Sequence, residues 1–503
     1  MARAGIRRVV AACTACAITS CTGEFTSTAE SALTIEAIGW PTEMHRGDVD
    51  TVEVRLRLRD SVREITGLRL QWLSNNDEIL HVAPLEPDTG GRLEDTLVMQ
   101  LRAEVTARAP GPAAVSVVVE PGGGFDAADS TFQLPVTVKW IAVSAGKSHT
   151  CAIASDSLLY CWGQGDHGQL GNGRVGSSTP VPVLGDFRFI IVSAGDESSC
   201  GIVREPLAYC WGSNTEGRLG NGDPSERNQF LPTLVTGPPF RRLDVGRMAC
   251  GLGQDSVASC WGGNPDGQLG FNPLTVPGLP TCSGNVLCSL VPIRVDTSGI
   301  RPNSYSAISI GGHHVCGVTA KPQSGLAFCW GVGTQGALGN ASQTTSQTPI
   351  AVTSTQTFTV ISAGGDHTCA LNSSKLAYCW GADSQLGNGT PLSSMVPVSV
   401  NAGTFDSLTA GGQHTCALDS IGKVYCWGRG SSGQLGNGSS AWRSAPFPVS
   451  GTLRFKAVSA GELHTCAVAM GGSLYCWGAG AGGRLGTGSV ANQLGPTRVS
   501  EPE

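Results

Sequence analysis

The apolar and polar positions of this chain fall into short runs separated by polar turns. The first run, Val9 to Ile18, follows the basic residues Arg3, Arg7 and Arg8 and is too short to span a bilayer as a permanent helix. Thr51-Val52-Glu53-Val54-Arg55-Leu56 alternates apolar with polar, the period of a half-buried antiparallel strand. Further strand-like runs lie at 68–72, 115–119 and 134–138. From Val143 the pattern repeats itself. Cys151-Ala152-Ile153 and Leu159-Tyr160-Cys161 predict two short strands around the polar turn Ser155-Asp156-Ser157.

The unit VSAGKSHTCAIASDSLLYCWGQGDHGQLGNG, starting at Val143, returns at Val458 as VSAGELHTCAVAMGGSLYCWGAGAGGRLGTG. Seven such units occur, each with Trp-Gly directly after its second cysteine: Trp162, Trp211, Trp261, Trp330, Trp380, Trp427 and Trp477. Successive second cysteines are 49, 50, 69, 50, 47 and 50 residues apart. A strand-rich period near 50 predicts propeller blades. Each unit closes on a Pro-containing strand, from PVPV at 180 to PTRVS at 496, so the first full unit starts near Ile141 and the last ends near Ser500. The third unit carries an insertion, Phe271 to Pro280 followed by Cys282 and Cys288.

Composition agrees with a β-protein of many tight turns. Glycine is 69 of 503 residues, charged residues are 14% and hydrophobic residues 40%. That hydrophobic share excludes a disordered chain, and the glycines have no collagen period of three. A net charge of -6 argues against a nucleic-acid binder.

Of the 19 cysteines, Cys13, Cys16 and Cys21 lie at the start and none falls between 22 and 150. The others form pairs: Cys151-Cys161, Cys200-Cys210, Cys250-Cys260, Cys316-Cys329, Cys369-Cys379, Cys416-Cys426 and Cys466-Cys476, with Cys282-Cys288 inside the insertion. A separation of ten places two cysteines opposite each other on a hairpin, near disulfide spacing. The thirteen-residue spacing of Cys316 and Cys329 requires a longer turn or a bulge. Metal ligation is the rival reading, but the pairs lack a C-x2-C knuckle and each would need two more ligands. Disulfides behind an export signal place the chain outside the cytoplasm.

The S-A-G, H-T-C-A, Y-C-W-G and G-Q-L-G-N-G of each unit resemble the regulator-of-chromosome-condensation repeat family. The resemblance covers about 360 residues and implies an all-β fold with a seven-bladed β-propeller over 139–503. The His-Thr pair of the repeat is absent from unit two (Ser198-Ser199) and unit three (Met248-Ala249), and unit three is one residue shorter there.

Two further resemblances concern the region before the propeller. Ile18-Thr19-Ser20-Cys21 is similar to the lipobox of bacterial lipoproteins, which implies cleavage before Cys21 and a diacylglycerol on its thiol. The alternative is an ordinary secretory peptide cut near Ala15-Cys16-Ala17 or Ala29. Residues 1–21 would then be the signal, 22–31 a tether and 32–138 a separate domain. Trp72-Leu73-Ser74-Asn75-Asn76, Ile79 to Val82 and Ala103 to Val119 resemble bacterial immunoglobulin-like domains, which implies a β-sandwich over 32–138.

Candidate chemistry is sparse. His149, His314, His367, His414 and His464 share one repeat position. A metal needs ligands converged at about 2.0–2.1 Å, whereas one histidine per blade spreads them around a disc, so packing or hydrogen bonding within the blade is expected. No paired carboxylates, G-x-x-x-x-G-K-[ST], H-E-x-x-H or G-x-S-x-G pattern is present. No catalytic residue, metal or cofactor is therefore expected. The expectation is a non-enzymatic, lipid-anchored propeller of the bacterial envelope, membrane-bound through the lipid alone or else secreted, that recognises a protein or glycan. A structural envelope component and a propeller lyase or hydrolase are the alternatives; nucleic acid and a small GTPase are not expected partners. The candidate binding residues are Phe271, Leu274, Val276 and Leu279 in the stiff, proline-rich insertion, with Trp442 and Arg443 in another departing loop. The other reading is that the apolar four cover a neighbouring blade edge.

Overall fold

The computed structural model describes the strands between residues 33 and 137, and residues 138–502 apart from 273–275, 277, 298–303 and 322–324. The signal and tether, with Cys21, and the candidate Leu274 lie outside the described residues. Two compact units divide at Lys139 and Trp140.

The first unit is built mainly of antiparallel strands, with one short parallel pair between Met44–His45 and Val136–Thr137. Val49–Arg59 pairs with Leu33–Ile38 on one side and Thr96–Ala107 on the other, and Leu80–Pro84 and Asp88–Leu93 also pair with Thr96–Ala107. Arg69–Ser74, Ala114–Glu120 and Ala128–Gln133 form a second sheet, in which Trp72 lies opposite Val117. The alternating segment 51–56 is the centre of the longest pairing, from Val49↔Thr106 to Arg59↔Thr96.

The second unit is a seven-bladed β-propeller. Blade 1 is built from Trp140–Ala145, His149–Ala154, Leu159–Gly163 and Ser177–Pro182, paired in chain order. The other blades follow the same plan, the last ending with Gln493–Arg498. Every blade uses consecutive strands, so blade and sequence repeat coincide. Blade 3 gains a fifth strand, because Thr281–Cys282 of the insertion pairs with Val286–Arg294.

Each blade is a twisted sheet whose second and third strands are joined by a disulfide. Cys151 lies directly opposite Cys161, with Cα atoms 4.1 Å apart, the close spacing of a non-hydrogen-bonded antiparallel pair. The other six blades repeat this bond, and Cys282 joins Cys288. Cys316 and Cys329 are also direct partners, so the three extra residues of blade 4 sit in the turn and produce no bulge between the cysteines.

The core lies between blades. Cys151, Ile153 and Leu170 of blade 1 pack with Phe189, Ala194 and Trp211 of blade 2 in one buried cluster. The seven repeat tryptophans are fully buried. The fourth repeat strand of every blade carries a proline, Pro292 at the seventh position of Val286–Arg294 and the others at the fourth position of their strands: Pro180, Pro232, Pro349, Pro397, Pro446 and Pro496. Proline has no N–H for a further ladder, so seven exposed sheet edges are protected from pairing with other chains.

Candidate functional site

Antiparallel strands place the turn between strands one and two, and the connection between strands three and four, at the same end of every blade. One propeller face, the loop face, therefore gathers fourteen connections, and its centre is formed by the S-A-G turns. The turns approach so closely that their backbones bond around the axis. Lys147 N donates to Gly195 O (3.0 Å), Asp196 N to Gly246 O (3.3 Å), Gly412 N to Gly461 O (3.1 Å) and Glu462 N to Gly146 O (3.1 Å). A Cβ on Gly461 would lie 2.3 Å from Gly146 O, so only glycine allows this approach. The turn of blade 3 is one residue shorter, closing with Gly246 N on Met248 O where blade 1 uses Gly146 N on His149 O.

These turns enclose an axial cavity of about 100 Å³, lined by Gly146, Gly195, Gly246, Gly311, Gly364, Gly411 and Gly461 and their neighbours. Its mouth is asymmetric. At the position after that glycine, blades 7, 1, 2 and 3 carry Glu462, Lys147, Asp196 and Arg247, while blades 4, 5 and 6 carry Gly312, Gly365 and Gly412. Lys147 Nζ lies 3.5 Å from Asp196 Oδ2. The Glu462 carboxyl sits over Gly412. Burial first, and then the Asp196 charge, push its pKa above the usual carboxylate range against the pull of Lys147. Farther out, Arg218 and His167 lie 3.8 and 3.9 Å from the Glu197 carboxylate. The mouth thus offers alternating charges on one half and bare backbone on the other. That arrangement suits polar recognition and brings together no nucleophile with a base.

The five repeat histidines stand one layer below. Each bonds across a blade boundary, which corrects the expectation of bonding within the blade. His149 Nε2 meets Ser199 Oγ (2.7 Å), His314 meets Thr368 (2.7 Å), and His367, His414 and His464 meet Thr415, Thr465 and Thr150 (2.8 Å each). The cause is geometric: the second strand of each blade faces the next blade, so the partner is one repeat away. Four of these hydroxyls donate onward to a backbone carbonyl, Ser199 to Gln169, Thr368 to Ala337, Thr465 to Gln434 and Thr150 to Arg484. A hydroxyl has one proton, so in these four chains the imidazole must be the donor and is held as the Nε2–H tautomer. Burial lowers the pKa of His149, His367 and His414 to about 3 and of His314 to about 4, and takes His464 well below its usual value. Among the described residues no group of three or more His, Cys, Asp or Glu side chains is placed to hold a metal ion.

The candidate binding residues separate. Phe271 is 1% exposed in a cluster with Trp330, Tyr305 and Leu269. It is therefore removed from the candidate contact set, because its ring fills the space between blades 3 and 4. Val276 and Leu279 pack half-buried against the same cluster. The insertion is further tied to blade 2 by Glu226, whose carboxylate accepts from Glu216 N (2.6 Å) and Ser283 N (2.9 Å). Trp442, in contrast, is 56% exposed on the loop face, with the Arg429 guanidinium 6.0 Å from its ring centre. Arg443 stacks at 4.7 Å over Phe447. Sequence reasoning did not single out the mouth residues Lys147, Asp196 and Glu462, although they stand at one position of the S-A-G turn.

A family model described as the regulator of chromosome condensation (RCC1) repeat matches residues 156–202, 207–254, 324–371, 422–468 and 471–503. A second model of the same description matches 140–169, 358–387, 405–434 and 455–484. Together they cover more than half of the chain. Among solved structures, Prp20p from Saccharomyces cerevisiae is similar with a TM-score of 0.60 at 21% identity, over 72% of this chain and 88% of that one. Yeast RCC1 (Prp20) bound to Kap60 gives 0.59 at 20%, over 72% and 85%, and human WBSCR16 gives 0.58 at 19%, over 70% and 94%. At such identities the likeness is one of fold. With seven repeats, seven blades and two matching models of the repeat, this chain belongs to the regulator of chromosome condensation (RCC1) repeat family.

Proposed function

We propose that the chain is a non-enzymatic binding propeller that works outside the cytoplasm and is held to a bacterial membrane by a lipid on Cys21. The observation that carries the binding reading is the loop face itself, where Glu462, Lys147 and Asp196 line one side of the axial cavity, Arg247 continues the series at the same repeat position, and Trp442 stands exposed farther out. Eight disulfides support the oxidising compartment. No helix among the described residues is long and apolar enough to cross a membrane; the lipid anchor rests on Ile18-Thr19-Ser20-Cys21. The strands of the first unit are assigned to an immunoglobulin-like sandwich that spaces the propeller from the membrane. Binding of a protein partner has precedent in the fold: yeast RCC1 was solved bound to Kap60, and Prp20p was studied for binding to Gsp1p and histones. Nucleotide exchange on a small GTPase is not part of this reading, because the N-terminal sequence is read here as an export signal.

Cross-linking on intact cells tests the proposal, with the full chain as bait. Lys147→Glu and Trp442→Ala on the loop face should lose a defined set of captured envelope proteins or glycans. Lys321→Glu on the opposite face should keep it. Identical capture by all variants would favour a structural envelope component instead.

A further inference from the structure

Two of the seven blade boundaries lack the histidine–hydroxyl bond, and both flank blade 3. Between blades 2 and 3, Ser198 and Ala249 replace the pair. Between blades 3 and 4, Met248 and Val315 replace it and share one buried apolar cluster. A different group links these three blades. Asp244 stands where its siblings carry serine or threonine. Its carboxylate accepts from Ile310 N of blade 4 (2.7 Å) and from Ser193 Oγ of blade 2 (3.2 Å). The insertion adds the Glu226 bridge to Ser283 and the Phe271 plug.

We propose that mild acid loosens the propeller at the five histidine boundaries while blade 3 stays joined to both neighbours. The relay explains the first half. Protonation puts a second N–H on a ring whose Nδ1 is buried without a partner in His149, His367, His414 and His464. It also puts a charge where none is compensated. Arg484 acts on the rings of His149 and His464, His313 acts on His314, and His367 and His464 feel the neighbouring repeat histidines. All of these oppose protonation, and no carboxylate is among them. Each ring therefore has a folded pKa depressed below that of the unfolded chain, so the unfolded state takes up the proton first. Stability is present above pH 6.5 and is lost as pH falls toward 3 to 4. Between pH 6.5 and 4.5 a single such histidine shifts the equilibrium toward opening by about 50-fold. Asp244 has the opposite sign, since burial raises its pKa and protonation relieves a cost. The hydrogen-bond donors to that carboxyl are Val245 N, Ile310 N, Ser193 and Ser309, none of which titrates.

Hydrogen–deuterium exchange of the full-length oxidised protein at pH 7 and 4.5, corrected for intrinsic rates, tests the pattern. Protection in His367–Asn372, His414–Leu418 and His464–Ala469 should fall more than tenfold, while Ala249–Gly253 of blade 3 keeps its protection. Uniform loss, or no loss, would overturn the proposal. Transplanting the apolar pair, as His367→Met with Thr415→Val, should make the boundary between blades 5 and 6 insensitive to acid; continued loss there argues against the histidine as its cause. Should that variant not fold, nitrogen NMR of histidine-labelled wild-type protein decides. Five neutral rings at pH 5 support the proposal, and ordinary titration near 6.5 refutes it.

Discussion

The indole N–H of Trp211 donates to the backbone carbonyl of Gln169 in the preceding blade, 3.0 Å away. All seven repeat tryptophans do the same, and Trp162 closes the ring on Arg484 of blade 7 at 3.0 Å. Two residues after Gln169 comes Gly171, with φ +65° and the Trp211 ring against it; a Cβ there would lie 2.8 Å from Nε1. The G-Q-L-G loop of one blade is thus a socket for the tryptophan of the next.

This relationship gives a paired test. Gly171→Ala must bear both a left-handed backbone and a collision with a fully buried indole, so it should cost about 2–4 kcal/mol. Gly438→Ala has a similar φ of +77° but nothing within 4 Å of its Cβ, so it should cost about 1–2 kcal/mol. Denaturant midpoints of the two variants, measured without reductant, isolate the socket term. Equal midpoints would show that the ring yields freely.

The insertion and the exposed tryptophan should respond in opposite ways. Phe271→Ala opens a cavity between blades 3 and 4 and should cost about 3–5 kcal/mol. Trp442→Ala removes an exposed ring and should change stability by about 0.5 kcal/mol or less. Thermal unfolding of each variant checks this, and a large loss for Trp442→Ala would mean that its stacking with Arg429 is structural.

Asp244 offers a test of sign. Its pKa is raised by burial, so in the folded protein the charged carboxylate costs stability above that pKa, and the cost is relieved as pH falls toward the unfolded value of 3.8. Asp244→Ser restores the sibling residue, which accepts from the next blade as Ser309 does from Ala363 N at 3.1 Å. The stability difference should favour the variant most near neutral pH and move toward the wild type on acidification. A difference that moves toward the variant in acid would reverse the assignment.

The blades were legible in the sequence because each closes its own hydrogen-bond ladder, within about 45 residues in all but the inserted blade 3, leaving Trp-Gly and paired cysteines at a period near 50 outside that insertion. The histidine bonds were not read, because a repeat looks the same whether its partner lies within the blade or one period away. The signal was nevertheless present. Histidine occurs in units 1, 4, 5, 6 and 7, and the hydroxyl in units 2, 5, 6, 7 and 1. The second set is the first moved on by one blade, as expected if each histidine reaches the next blade. Phe271 stayed between two readings for another reason: an apolar residue in a long loop has the same composition whether it faces a partner or a gap between blades, and the structure selects the gap.

The export reading has its own test in the cysteines. Every cysteine of the propeller is paired in hairpin geometry, with the closing bond within one blade. Each hairpin bond closes a short loop and contributes about 2–3 kcal/mol by restricting the unfolded chain, which is available only where thiols oxidise. Thiol titration of the denatured, unreduced mature protein should therefore find no free propeller thiol. Cys21 separates the processing routes. A lipid thioether leaves it blocked and adds the mass of a diacylglycerol, cleavage near Ala29 removes it, and cleavage near Ala17 leaves one free thiol. Cys21→Ala should then release the protein from the membrane fraction or halt its maturation, while the eight disulfides still form in whatever molecules are exported. Unchanged membrane partition, with no loss of a diacylglycerol mass, in Cys21→Ala would reject the lipid anchor.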